Sequence, residues 1–136
     1  MSLAKLAAPL ALSCLLAACG SAREAEAKQS AARVARAIEV VRNAPNAAKG
    51  AALQDLVKVP CGSPDGCAAR DACQAAYALY VEALTLTQAA KLQLGDGKPA
   101  DAAKLVGASE EKLTDASRRI ADCTEREGAL RLRYKL

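Results

Sequence analysis

The chain contains no histidine, phenylalanine or tryptophan, three tyrosines and a single methionine. Each absence narrows the field. Without histidine the commonest general base and the commonest nitrogen ligand for metals are missing, and no serine, lysine or carboxylate arrangement resembling a hydrolase motif takes their place. Without aromatic residues interleaved among lysines and arginines there is no stacking platform for single-stranded nucleic acid. The charges are interspersed along the chain, with a net of +4, and form no basic patch. No apolar run reaches the roughly 18 residues that a membrane-spanning helix needs. Glycine is sparse too: Gly95-Asp96-Gly97 reads as a turn rather than a phosphate cradle. The adjacent carboxylates Glu110 and Glu111 point apart if the segment is helical, so they do not form a catalytic pair.

What the chain has in abundance is alanine, about a quarter of all residues. Alanine has the highest intrinsic helix propensity, whereas a strand-rich fold would ask for β-branched and aromatic residues, so an all-α fold is expected. Alanine also buries little apolar area, which predicts a thin core in need of covalent staples.

Two stretches, 63–94 and 99 to about 127, read as long helices folded back on each other through Gly95-Asp96-Gly97-Lys98-Pro99. In an antiparallel pair, residues equally far from the turn lie level, so facing residue numbers share a constant sum, here 196. The facing pairs are Cys73 with Cys123, Ala76 with Ile120, Tyr80 with Ala116, Ala83 with Leu113, Thr87 with Ser109, Ala90 with Val106, and Leu94 with Ala102. Most set a large side chain against a small one, and the steps alternate three and four, as interdigitated helices require.

Ahead of this hairpin, Ala27, Ala31, Val34, Ile38 and Val41 form a helical apolar stripe that predicts a first helix over 23–43. Asn43-Ala44-Pro45-Asn46 stops it. A shorter helix over 47–58, with Asn46 as N-cap and Leu53, Leu56 and Val57 buried, is expected next. Ser63-Pro64-Asp65 is a helix start for the third. That third helix is apolar around most of its circumference. Tyr77, Val81 and Leu84 lie outside the stripe that faces its partner, so they are either covered by the first two helices or are candidate contacts for another protein. On the fourth helix, Asp115 with Arg119 and Asp122 with Arg126 have the i, i+4 spacing of a solvated face. Beyond Gly128 the alternation of apolar and basic residues through Arg131, Arg133 and Lys135 has the period of a strand. It predicts a tail that frays, adds to a partner's sheet edge or touches an anionic surface.

The N-terminus has a character of its own. Lys5 is followed by an apolar run from Leu6 to Ala18 that is broken only by Pro9 and Ser13 and ends in Leu16-Ala17-Ala18-Cys19. This resembles the signal peptide and lipobox of bacterial lipoproteins. The alternative is an ordinary secretory signal with an incidental cysteine. The resemblance implies that residues 1–18 are removed and that Cys19 carries a thioether-linked diacylglycerol and an acylated amine, an anchor strong enough for stable membrane attachment. Gly20 and Ser21 follow where aspartate would signal retention in the inner membrane, so it further implies the periplasmic face of an outer membrane. Loss of residues 1–18 leaves 18 basic and 15 acidic residues, a mild +3.

Of six cysteines, Cys14 leaves with the signal and Cys19 goes to lipid, leaving Cys61, Cys67, Cys73 and Cys123. An even number in an exported helical chain suggests disulfides, and geometry separates the three connectivities. Six residues of helix, about 9 Å, separate Cys67 from Cys73 and put Cys67 as far off the level of Cys123, beyond the roughly 7 Å that a disulfide spans. Cys73 with Cys123 is level and inward, which leaves Cys61 with Cys67. A four-cysteine metal site would want close Cys-x-x-Cys pairs, which are absent.

The expected architecture is thus an all-α, disulfide-stapled hairpin within a three- or four-helix bundle. Its parts would be a signal (1–18), a lipidated tether (19–28), the bundle (29–128) and a basic, apolar tail (129–136). The expected function is a non-enzymatic envelope lipoprotein without cofactor, metal or nucleic-acid ligand, acting as an interaction or scaffolding module on an envelope protein or a second copy. A helical inhibitor or chaperone of exported proteins, and a cysteine-dependent metal carrier or enzyme, are the alternatives.

Overall fold

The computed structural model describes residues 13–136, with side chains from Gly20 onward; the expected signal segment and the side chain of Cys19 fall outside the described part. Four helices follow in order: α1 (Ser13–Asn43), α2 (Asn46–Lys58), α3 (Pro64–Gly95) and α4 (Pro99–Tyr134). No strand occurs among the described residues, and none of their helices is long and apolar enough to cross a membrane.

The α3–α4 hairpin is the frame. Ser63 caps α3 by accepting a hydrogen bond from the Gly66 amide at 3.1 Å, and Pro64 occupies the first helical position. The far turn closes at Gly97, whose φ of 72° suits glycine. Two links report the register with the sum of 196: Cys73 is disulfide-linked to Cys123, and the Thr87 and Ser109 hydroxyls lie 3.0 Å apart; Ser109 also donates to the Ala83 carbonyl one turn earlier, and Lys112 pairs with Glu82. The seam is built in steps of seven. Ala69, Ala76, Ala83 and Ala90 are buried on α3, as are Ala102, Ser109, Ala116, Cys123 and Leu130 on α4. A strict seven-residue repeat of small residues lets two helices wind closely around each other.

The expected second cover exists over only part of the hairpin. α1 buries Ala31, Val34, Ile38 and Val41, and α2 buries Leu56, against the half of the hairpin that holds both disulfides. The start of α2 still covers Val81 and reaches Leu84; beyond that level α3 and α4 continue as a bare pair, roughly 11 residues or 16 Å long. The molecule therefore has a four-helix base and a two-helix arm.

Several local expectations need correction. The first helix, predicted from residue 23, begins earlier, so residues 20–28 of the expected 19–28 tether are helical and continue α1, with all their side chains exposed except the half-buried Ala27. Asn46 is the first residue of α2 rather than its cap; Pro45 takes the cap position, and the Asn46 side chain instead accepts from the Tyr80 hydroxyl at 3.4 Å. Val57 is 45 % exposed because it lies off the face on which Lys49, Ala52, Leu53 and Leu56 pack against the base. Asp115 pairs with Arg118, one turn on at i+3, and not with Arg119. The tail is not extended. α4 runs on to Tyr134 and ends on Lys135 in the left-handed conformation, because Leu130 and Tyr134, four apart, both pack on the base. Leu132, the residue the alternation would have paired with them, is 82 % exposed.

Candidate functional site

The base is closed by covalent and charged fasteners. The α2–α3 loop is tied by the Cys61–Cys67 disulfide, with Cα atoms 4.8 Å apart, and the hairpin by Cys73–Cys123, at 4.6 Å. Ser30 of α1 donates to the Pro60 carbonyl at 3.1 Å, and Arg70 of α3 donates to the Val59 carbonyl at 3.1 Å. Gly62, with φ of 56°, lies so close to α1 that a Cβ there would collide with the Ser30 hydroxyl.

Two ionised side chains are buried here that the sequence reading did not single out. Lys49 of α2 is only 6 % exposed, and its ammonium donates to the Val41 and Arg42 carbonyls at 2.9 and 3.0 Å, capping the last turn of α1. It also lies 5.7 and 5.4 Å from the Tyr77 and Tyr80 ring centroids. Burial pushes its pKa below the ordinary lysine value. Glu127 of α4 is buried between Arg42 of α1 and Arg131, the latter at 2.9 Å, and Arg131 reaches Glu39 of α1 at 3.4 Å. The hydrogen bond to Glu127 holds the Arg42 guanidinium above its usual range, against the opposing effect of its own burial.

Both buried charges had a trace in the sequence. Lys49 precedes Leu53 by four and Leu56 by seven, which puts it on the buried face of α2. Glu127 is what the constant sum places opposite Ala69. Neither is poised for chemistry, because the ammonium is engaged by two carbonyls and the carboxylate by two guanidinium groups. Among the described residues no group of three or more His, Cys, Asp or Glu side chains is placed to hold a metal ion.

The residues expected as partner contacts are scattered by the structure. Tyr77 is buried in the base, so it is a core residue and not a contact. Val81 is half-buried beneath Gly50 of α2, and Leu84 is half-buried at the point where α2 stops. Arg131 is taken by the Glu127 network, and the exposed Arg133 is ion-paired with Asp65. Lys135 is exposed beside them. The base thus uses the basic residues of the tail to tie its own helices.

What remains open is the arm. On α4 one row of sevens runs Val106, Leu113, Ile120, Glu127, Tyr134. Its last three members are covered at the base, whereas Val106 and Leu113, beyond the end of α1, are 43 % and 41 % exposed. On α3, Tyr77 is buried, while Leu84 and Lys91, seven and fourteen residues on, are progressively uncovered. Leu94, at 58 % exposure, completes this flank near the tip. A shallow groove therefore continues the path of α1 and α2 along the arm, with nothing among the described residues to fill it. No protein-family model, curated protein or solved structure matches this chain, so its own residues alone bear on what it does.

Proposed function

We propose that this chain is a non-enzymatic lipoprotein of the bacterial envelope, lipid-anchored through Cys19 and facing the periplasm from the outer membrane, which works as an interaction or scaffolding module. The observation that carries the reading is the uncovered flank of the arm. Val106, Leu113 and Leu94 are exposed, and Leu84 half-buried, on rows whose other members are covered at the base, and contiguous exposed apolar surface on a folded domain marks a contact surface. The lipobox-like run ahead of Cys19 supports the anchor, and two disulfides suit an oxidising compartment.

In-cell photocrosslinking tests it. A photoreactive residue at Leu94 or Val106 is expected to give a protein adduct in intact cells, and one at the exposed Arg118 on the outer face of α4 is not. Adducts from Arg118 and none from the arm overturn the reading. Cys19→Ser is expected to move the protein from the membrane to the soluble fraction; retention in the membrane removes the lipid anchor from the proposal.

A further inference from the structure

We infer that the Cys61–Cys67 disulfide is a thiol-exchange site: a thiol from solution bonds to Cys61 as a mixed disulfide, Cys67 is released as a thiolate, and the α2–α3 loop loses its grip on α1 while the hairpin keeps its register. The inference concerns the base and is independent of the arm and of what the arm binds. It is carried by burial, by the place of one sulfur on a helix, and by the packing of the loop.

The two disulfides have opposite surroundings. Cys73 and Cys123 are fully buried in the seam between α3 and α4. Cys61 and Cys67 are half-buried in the loop that enters α3. Exchange requires an attacking thiolate to reach a sulfur, so the loop pair reacts in the folded molecule, whereas the seam pair reacts only after α3 and α4 part.

Within the loop pair the two sulfurs are not equivalent as leaving groups. Cys67 lies in the first turn of α3, where its amide donates to the carbonyl of the capping residue Ser63 at 2.9 Å. Helix side chains lean toward the N-terminus, so the Cys67 sulfur lies over the amide end of α3, which stabilises a thiolate. Asp65 in the same turn opposes this, but its carboxylate is ion-paired with Arg133. Cys61 sits in non-helical chain after Pro60 and has no such support. The sulfur that leaves more readily is Cys67, and the sulfur attacked is Cys61. The incoming thiolate bonds to Cys61 Sγ, the Sγ–Sγ bond breaks, and its electron pair stays on Cys67 Sγ. A second thiol then attacks the bound thiol and leaves with it as a disulfide, so two thiols are oxidised and both cysteines of the protein are reduced.

The loop has no spare room for an added group. A Cβ on Gly62 would collide with the Ser30 hydroxyl, and one on Gly66 would collide with the Cys61 carbonyl. A small thiol attached at Cys61 therefore displaces Gly62 from α1 and breaks the hydrogen bond from Ser30 to the Pro60 carbonyl. Ala31 and Val34, the buried residues that follow Ser30, lose cover first. The Cys73–Cys123 link and the Thr87–Ser109 contact lie outside the loop and hold α3 and α4 in register.

The test uses the full chain purified in mild detergent, with free thiols blocked by N-ethylmaleimide and the protein then exposed briefly to reduced glutathione at neutral pH. Newly released thiols are capped with iodoacetamide, and the labels are located by peptide mass mapping. Glutathione is expected on Cys61 and the acetamide label on Cys67, at a rate at least about tenfold above any labelling of Cys73 or Cys123. Hydrogen exchange in the adduct should accelerate over residues 30–41 and stay unchanged in α3 and α4 beyond residue 73. Glutathione on Cys67 instead, equal labelling of the two pairs, or no adduct overturns the inference. So does an adduct on Cys61 that leaves exchange in α1 unchanged.

Discussion

The base and the arm are built from the same two helices on the same heptad, and they differ in what lies beside them. At the base, α1 and α2 turn a seam of alanines into a closed core containing Ile38, Leu56, Leu130, a buried lysine and a buried glutamate. In the arm the seam persists through Ala83, Ala90, Ala102 and Ser109, but the neighbouring rows stay in water. An alanine seam brings helices close and buries little area, so it fixes register well and contributes modest stability. The comparison separates two tasks that one helix pair performs along its length: alignment throughout, and cohesion only where a second layer exists.

Four measurements by denaturant unfolding would break or sharpen that contrast. The largest effect is expected from Cys73→Ala combined with Cys123→Ala, which opens a loop of 50 residues' separation. The chain-entropy account puts this loss at about 4 kcal/mol. Next comes a matched pair of identical substitutions. Leu130→Ala, in the covered base, should cost about 3 kcal/mol, whereas Leu113→Ala in the arm should cost under about 0.5 kcal/mol. Equal costs would mean that the arm is cohesive in its own right. Third, Lys49→Met leaves the Val41 and Arg42 carbonyls without their donor, at about 1 to 2 kcal/mol near neutral pH.

That variant also carries a pH signature. Burial lowers the Lys49 pKa from the ordinary 10.5, so between the two values the unfolded chain binds more protons than the folded one. Stability therefore rises as pH climbs through the folded value and stops rising near 10.5. The rise should be present in wild type and missing from Lys49→Met, and an identical alkaline profile in the two proteins would contradict the buried ammonium. The smallest effect is expected from Leu94→Ala, which should leave the midpoint unchanged within error.

The hairpin was legible because an antiparallel pair obeys arithmetic: one turn and one level pair determine the rest, and Thr87 with Ser109 followed. The disulfide pairing was legible for the same reason, since only one connectivity respects the 7 Å span. The extent of α1 and α2 relative to the arm was not legible. The length of a covering helix can be read from the sequence, but the level at which it docks depends on tertiary contacts such as Ser30 with Pro60. Lys49 and Glu127 were missed because charged residues were assigned to water by type, although both stand on buried rows. The tail was misread because alternation is also compatible with a helix when the residues that matter are four apart, as Leu130 and Tyr134 are, and the intervening Leu132 is simply left exposed.

α1 enters the fold beside Pro60, at the end of the hairpin opposite the Gly97 turn, and α3 alone spans 32 residues, about 48 Å. With the lipid anchor proposed at Cys19, the tip is therefore held far from the point of attachment.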